Sequence, residues 1–102
     1  FNPYDGFSSF LPFSLEAFEW HGVGKGETKD FVNGDISVEG PHPYLSGGGN
    51  LGNGRIHGFS HVLETAMQMM GTAGERQIPN PKFAVCETGP FNSASCFSCT
   101  ND

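Results

Sequence analysis

The chain is short of basic residues, of long apolar runs and of cysteine. Its 102 residues include five Lys and Arg against eleven Asp and Glu, a net charge of −6. Nucleic-acid binding depends on clustered basic side chains, so this charge disfavours it. No apolar run approaches the ~18 residues that a bilayer requires, and we expect no membrane span. Three cysteines without a secretory signal pattern favour a reducing compartment, so we expect a cytoplasmic protein.

Glycine, proline and phenylalanine are abundant instead. Fifteen Gly, seven Pro and ten Phe occur in the 102 residues. Glycine loses much backbone entropy on folding, and a small independent domain normally offsets such a cost with disulfides or a metal. The chain also begins at Phe1 rather than Met. We therefore expect residues 1–102 to be a single partial domain (a fragment, a clipped product or one subunit of a complex) that is unstable and inactive alone.

Hydrophobic periodicity predicts the helices and strands. Apolar residues three and four apart predict a helix within Phe7–Trp20 that ends at His21-Gly22. A longer amphipathic helix is predicted to begin near Arg55 and to end at Gly71. The remaining predictions are a hairpin over Phe31–Glu39 that turns at Asn33-Gly34, and strands over Lys82–Thr88 and Ser93–Cys99 joined by a turn at residues 89–92. This order suits one flank of an α/β sheet better than a closed domain.

The glycine-rich segment Ser46–Gly54, called the glycine loop below, precedes the longer helix. Successive glycines let backbone N–H groups converge on an anion or oxyanion, and a helix N-terminus adds a favourable dipole. A phosphate-binding P-loop would end in Gly-Lys-Ser or Gly-Lys-Thr, whereas this loop ends in Gly54-Arg55-Ile56. We predict a structured, site-forming loop rather than a flexible linker.

His57, His61 and Glu64 have a spacing that resembles a set of metal ligands on one helix face. A metalloprotease helix would carry Glu directly after the first His, and this chain has Gly58 there. The favoured interpretation is a polar face on which His61 and Glu64 contact solvent or backbone. His57 differs because it lies beside the glycines, where it could reach a substrate.

Cysteine and tyrosine side chains are the other reactive groups. Cys96 and Cys99 form a C-x-x-C pair, but an odd separation on a strand sends the two side chains to opposite faces, which disfavours a zinc site. Cys86 is either a buried core thiol or an acid/base group at the carboxyl edge of a strand, and the sequence leaves both open. Tyr4 precedes the first helix, where its phenol could transfer a proton, and Asp5 could cap that helix.

Taken in order, these segments resemble the C-terminal part of a thiolase-superfamily enzyme, over nearly the whole chain. Four segments at the family's spacing carry the resemblance. Tyr4-Asp5-Gly6-Phe7 takes the place of the Asn-Glu-Ala-Phe or His-Asp-Cys-Phe motif, and Ser46-Gly47-Gly48 with Gly54-Arg55-Ile56-His57-Gly58 resembles the Ser-Gly-Gly and Gly-His-Pro-x-Gly loop. Gly74-Glu75-Arg76-Gln77-Ile78 resembles the Gly-Glu-Arg-Gln-Val connection, and Val85-Cys86-Glu87-Thr88-Gly89 resembles the strand that carries Cys-x-Gly. The resemblance implies an α/β fold, the C-terminal portion of a thiolase fold with a mixed sheet flanked by helices, incomplete as a stand-alone domain.

Departures from the thiolase pattern point to one branch of the superfamily. Arg55 takes the usual histidine position, His57 follows two residues later, and Tyr4 replaces the Asn or His of the first motif. These features are similar to the lipid-transfer-protein branch, which includes the side-chain aldolases of steroid breakdown. Cys86 is retained as in thiolytic members, although Glu87-Thr88-Gly89-Pro90 replaces the glycine run after it. The nucleophilic cysteine of true thiolases belongs to the N-terminal half, which the resemblance does not cover.

The resemblance implies carbon–carbon cleavage of an acyl-CoA, by a retro-aldol reaction of a β-hydroxyacyl-CoA in lipid or steroid side-chain degradation. Tyr4 and His57 would transfer protons or hold the oxyanion, and Cys86 would be the general base of a thiolytic alternative. The residues implied in substrate binding are Arg55, Gly48 and Gly89. Coenzyme A would enter as part of the substrate, with no tightly bound cofactor and no metal.

The expected partners are the rest of the thiolase-like polypeptide, in a homodimeric core, and a DUF35-type partner protein. Three alternatives stay open at this point. One is thiolytic acyl transfer to CoA, the second is a non-catalytic domain that binds acyl-CoA or a partner protein, and the third is a metal-binding module that uses His57, His61 and Glu64.

Overall fold

A computed structural model describes residues 1–89 and the backbone of residues 93–98. Short helices and loops precede a β-hairpin. The helices are α1 (Phe10–Ala17), α2 (Thr28–Val32), α3 (Gly49–Asn53) and α4 (Phe59–Met70), with single 3₁₀ turns at Trp20–Gly22 and Gly74–Arg76, and the strands are β1 (Phe83–Gly89) and β2 (Ser93–Ser98). Among the described residues, no helix is both long and apolar enough to cross a bilayer.

The strand β1 is the centre of the small sheet. It pairs antiparallel with β2, in a register that matches Phe83 with Ser98 and Gly89 with Ser93. On its other edge it forms a parallel bridge with Asn2, whose N–H donates to Val85 O over 2.9 Å. Helix α4 packs against β1. The described residues therefore contain an antiparallel strand pair, a parallel bridge and the flanking helix. They do not contain the full mixed sheet that the resemblance implies.

Both predicted strands are confirmed to within one residue at each end. An apolar run bounded by proline and glycine fits a buried strand, and Val85 and Cys86 in β1 are indeed buried. Of the predicted turn at residues 89–92, residues 90–92 lie outside the described residues. The same holds for Cys99 and for the Cys96 side chain.

The predicted hairpin over Phe31–Glu39 is wrong. Helix α2 covers its first part, and the Asn33 and Gly34 N–H groups donate to Lys29 O and Phe31 O as at a helix end. Further along, Asp35 Oδ1 accepts hydrogen bonds from the Ser37 N–H over 3.1 Å and from the Ser37 hydroxyl over 2.6 Å. Such local side-chain bonds to the backbone compete with a strand ladder, so the chain forms turns there.

The predicted helix boundaries shift for conformational reasons. Helix α1 lies within the predicted range but ends at Ala17, with Phe18 as its C-cap, instead of at His21-Gly22. Helix α4 begins at Phe59 rather than near Arg55, because His57 (φ 51°) and Gly58 (φ 78°) have left-handed backbones that interrupt a helix.

The buried core combines aromatic and aliphatic side chains and includes Val85 of β1. Phe1, Leu15, Val23, Tyr44 and Val85 form it, with partly buried apolar side chains around them. In α1, the apolar residue Phe13 is exposed, and the fully buried position of that helix is Leu15. The core thus holds together the start of the chain, α1 and β1.

Helix α4 has its polar face turned inward. The buried residues of the helix are His61, Glu64, Thr65 and Gln68. The apolar stripe has the predicted period, but Phe59, Leu63 and Met70 are 65%, 50% and 73% exposed. The prediction that His61 and Glu64 contact solvent or backbone is therefore wrong, since both are buried and bonded to side chains.

Candidate functional site

The Asp5 carboxylate lies beneath the glycine loop. Asp5 is 0% exposed and accepts the N–H of Asn50 over 2.7 Å and the N–H of Leu51 over 2.9 Å. These amides belong to the first turn of α3. The anion that the glycine loop holds is thus a carboxylate of the chain itself, and the prediction that these amides receive a ligand is wrong for Asn50 and Leu51.

His61 is the side-chain partner of Asp5. Its Nε2 lies 2.8 Å from Asp5 Oδ1, and both side chains are inaccessible to solvent, at 1% and 0% exposure. An ionised carboxylate has acceptor atoms only, so Nε2 is the donor in this contact. A buried carboxylate is costly unless it is paired and hydrogen-bonded, and three donors meet that requirement here.

Gly49 makes the close approach of the carboxylate possible. A Cβ atom added at Gly49 would lie 2.7 Å from Asp5 Cγ, closer than real Cβ atoms come to other atoms. Gly49 also has a φ of 57°, in the left-handed region that favours glycine. Glycine is therefore required at this position by both space and backbone conformation.

A second carboxylate anchors the start of the glycine loop. Glu64 Oε1 accepts the Ser46 hydroxyl over 3.0 Å and the Gln68 amide over 2.9 Å, while Oε2 accepts Arg76 Nη2 over 3.0 Å. Burial raises the pKa of Glu64. The hydrogen bonds from Arg76, Gln68 and Ser46 and the charge of Arg76 lower that pKa by more than burial raises it, so the pKa lies below its ordinary value. The absence of a side chain at Gly47 allows Glu64 to approach the loop backbone, since a Cβ added at Gly47 would lie 2.9 Å from Glu64 Cγ.

The segment after α4 is fixed by the same network. Gln68 donates to Arg76 O over 2.6 Å and accepts the Ile78 N–H over 2.8 Å. Gln77 accepts the Ala73 N–H over 3.1 Å. The Gly-Glu-Arg-Gln segment therefore has a structural role, because it holds Glu64 and, through Glu64, the glycine loop.

Tyr4 and Glu87 connect the loop to β1. Tyr4 is 4% exposed, and the centroids of its ring and the His61 ring are 6.1 Å apart. The Tyr4 N–H donates to Glu87 Oε2 over 3.1 Å, and the Ser14 hydroxyl donates to the same oxygen over 2.6 Å. Glu87 is buried and was not predicted as a site residue, although an acidic residue directly after an apolar run was a usable signal.

Cys86 lies in the middle of β1, not at the carboxyl edge that one of the two open interpretations assumed. It is 0% exposed and sits beside the parallel bridge from Asn2. A catalytic base must come within hydrogen-bond reach of the proton that it removes. The burial of Cys86 agrees with the core-thiol interpretation, which the sequence left open.

Arg55 and His57 are exposed on the turn between α3 and α4. This turn meets the end of β1, because a Cβ added at Gly58 would lie 2.6 Å from the Thr88 carbonyl carbon. The structure therefore brings the His57 turn close to the part of β1 that ends at Gly89. Gly48 is exposed with a φ of 80°, and its own N–H donates to Leu45 O over 2.8 Å.

A cavity of about 210 Å³ with both polar and apolar lining residues lies between the glycine loop and α4. Gly47, Gly49, Ser60, His61 and Arg76 are among the residues that line it. The described residues contain no cluster of three His, Cys, Asp or Glu side chains that could hold a metal ion. His61 and Glu64 instead bond to Asp5 and Arg76, which removes two of the three residues of the metal alternative.

Comparisons with known proteins identify the family of the chain. The Thiolase C-terminal domain-like family matches residues 1–98. The chain is similar to a 17-hydroxy-3-oxo-4-pregnene-20-carboxyl-CoA lyase from Mycobacterium tuberculosis (strain ATCC 25618 / H37Rv), with 42% identity over 69 residues, 66% of this chain and 18% of that protein. The chain thus spans less than a fifth of the length of this curated relative. No solved structure matches the chain.

Proposed function

Because the chain belongs to the Thiolase C-terminal domain-like family, we propose that it forms one side of an active site that cleaves a carbon–carbon bond in an acyl-CoA. The proposed reaction is a retro-aldol cleavage of a β-hydroxyacyl-CoA from lipid or steroid side-chain degradation. The observation that carries the proposal is the convergence of the Tyr4-Asp5 segment with the glycine loop and His61. The similarity to a CoA lyase supports the reaction class.

In a retro-aldol cleavage, a base removes the proton of the β-hydroxyl group and the Cα–Cβ bond breaks. The electron pair of that bond forms the enolate of the shorter acyl-CoA, while the other fragment leaves as an aldehyde or ketone. The enolate carbon then takes up a proton. The developing oxyanion needs preorganised hydrogen-bond donors. We assign proton transfer to Tyr4 and His57, and donation to the oxyanion to backbone N–H groups near Gly89.

Arg55 and Gly48 contribute to substrate binding in this proposal. Arg55 is an exposed guanidinium two residues before His57, and a guanidinium matches the geometry of the phosphates of coenzyme A. The Gly48 N–H is bonded within the chain, so Gly48 acts as part of the wall of the site. Coenzyme A is part of the substrate, and we propose neither a tightly bound cofactor nor a metal.

The presence of Cys86 favours a second candidate function, thiolytic acyl transfer to coenzyme A. In that reaction, the Cys86 thiolate would remove the proton of the incoming thiol. Because Cys86 is 0% exposed, this role needs an access path into β1. The two reactions differ in one observable quantity, since thiolysis alone consumes free coenzyme A.

The test uses the complete polypeptide that contains residues 1–102 and a β-hydroxyacyl-CoA with a branched or steroid side chain. We expect release of an aldehyde or ketone without consumption of coenzyme A. Tyr4→Phe and His57→Ala should each lower kcat by about 10²–10⁴-fold, the usual contribution of a general acid or base. The matched controls are Tyr44→Phe, which removes a hydroxyl whose bond to Leu11 O is 3.5 Å long, and His21→Ala at an exposed histidine. Full turnover in Tyr4→Phe and His57→Ala would refute the assignment.

We also propose that another part of a thiolase-like polypeptide covers the apolar face of α4. In this proposal the polypeptide forms a homodimeric core, and a DUF35-type protein binds to it as a partner. Phe59, Leu63 and Met70 present this face to solvent in the described chain. Burial of one large apolar side chain stabilises an interface by ~1.5–3 kcal/mol. The relative is more than five times as long as the segment it shares with this chain, so it contains further chain that could supply the covering surface.

A further inference from the structure

We propose that Asp5 and His61 form a clamp that positions His57 relative to Tyr4. The inference rests on the proposed function for the identity of the two reacting groups. Neither Asp5 nor His61 is assigned contact with the substrate, so both are positioning residues. The clamp is the set of three hydrogen bonds that Asp5 accepts from Asn50, Leu51 and His61.

The clamp closes a loop in the chain. In the segment 50–61, Asn50 and Leu51 lie at one end and His61 lies at the other. The Asp5 carboxylate accepts hydrogen bonds from both ends. Arg55 and His57 lie between these ends, on a turn that contains left-handed residues at His57 and Gly58. A segment closed by one buried carboxylate has fewer conformations than an open one, so the position of His57 depends on the clamp.

Asp5 also follows Tyr4 directly in the sequence. The Tyr4 backbone is fixed from the other side by the bond from its N–H to Glu87 Oε2, 3.1 Å long. The clamp therefore spans the two groups to which we assign proton transfer, although these lie 53 positions apart in the sequence. A displacement of ~1 Å of a reacting group can lower a rate by about 10²-fold, so a clamp of this kind has a measurable kinetic effect.

The donor that His61 supplies to Asp5 is Nε2, at the far end of the imidazole ring. Its Nδ1 has a weaker neighbour, the Ser60 hydroxyl at 3.5 Å, so the bond from Nε2 to Asp5 is its main contact. A glutamine places an amide N–H donor close to the position of Nε2, whereas the asparagine side chain is one methylene shorter. His61→Gln and His61→Asn are therefore a matched pair of similar polarity that differ in whether the donor reaches Asp5.

The test compares these two variants in the complete polypeptide. His61→Asn should lower kcat for the β-hydroxyacyl-CoA by about 10–100-fold with KM changed less than about twofold, and His61→Gln should restore most of the rate. Hydrogen exchange followed by mass spectrometry should show faster exchange of the amides in residues 50–61 for His61→Asn, and exchange close to wild type for His61→Gln. If His61→Asn does not fold, Asp5→Asn is the second variant. It presents an amide NH₂ to one of the donors, so it should show the same fall in kcat.

Wild-type kcat in His61→Asn, or an equal loss in both histidine variants, would overturn the clamp. The exchange measurement does not depend on the substrate. Absence of turnover in the wild-type polypeptide would refute the proposed function alone, and the exchange rates of residues 50–61 would still decide whether the clamp exists. Unchanged exchange in His61→Asn would refute the clamp even if the enzyme is an aldolase.

Discussion

The glycine at position 49 offers the sharpest test of how the loop is held. Its φ of 57° carries a cost of ~1–2 kcal/mol for any residue with a Cβ atom. The added Cβ would also lie 2.7 Å from Asp5 Cγ, so the carboxylate has to move away from the amides of Asn50 and Leu51. A hydrogen bond to a charged group contributes ~1.5–3 kcal/mol, and we expect Gly49→Ala to lower the free energy of unfolding by about 3–5 kcal/mol.

Two other glycines separate the causes of this loss. Gly52 lies in the same helix without a positive φ and with open space around it, so Gly52→Ala should be neutral or stabilising by up to about 1 kcal/mol. Gly71 has a φ of 71° but also open space, so Gly71→Ala should lose only the conformational part, about 1–2 kcal/mol.

Urea unfolding of the three variants, in the polypeptide that contains the chain, gives the order directly. We expect Gly52→Ala to be the most stable variant, Gly71→Ala the intermediate one and Gly49→Ala the least stable. If Gly49→Ala is as stable as Gly71→Ala, the contact between the Asp5 carboxylate and the loop backbone is not what requires glycine at position 49.

Two further predictions concern helix α4. The pKa of Glu64 is below its ordinary value in the folded chain, so its stabilisation is present above the unfolded pKa of about 4.3 and is lost as pH falls through the folded value. Glu64→Gln should therefore flatten the fall in stability as pH drops below the ordinary pKa of a glutamate, and a curve as steep as that of the wild type would contradict this. Leu63→Glu should impair assembly of the complete polypeptide, seen in its sedimentation profile, whereas Val32→Glu on exposed α2 should not. Equal assembly of the two variants would argue against a covered α4 face.

Periodicity and turn residues were sufficient for the elements with regular patterns. The apolar run before Cys86 gave β1, and the spacing of Phe59, Leu63 and Met70 gave the period of α4. The Asn33-Gly34 pair failed as a hairpin signal, since the same residues also suit a helix end, and Asp35 bonds to Ser37 nearby. Such choices depend on which local hydrogen bonds form, and the residue types alone do not distinguish them.

The face that α4 buries could not be predicted from its sequence. An amphipathic helix normally turns its apolar stripe to the core. Here the polar side chains have specific partners: His61 bonds to Asp5, and Glu64 bonds to Ser46 and Arg76. These partners lie between 12 and 56 positions away in the sequence, so their convergence requires the tertiary structure.

The location of the ligand site changes once Asp5 is recognised as the anion held by the glycine loop. The Asn50 and Leu51 amides face that carboxylate, and the Gly48 and Gly52 amides donate to Leu45 O and Gly48 O. An acyl-CoA oxyanion therefore does not bind to these amides. Arg55 and His57 are exposed polar residues on the next turn, which meets Thr88 at the end of β1 through Gly58. The oxyanion donors should accordingly be sought where this turn meets β1, and in our proposal the glycine loop places that turn.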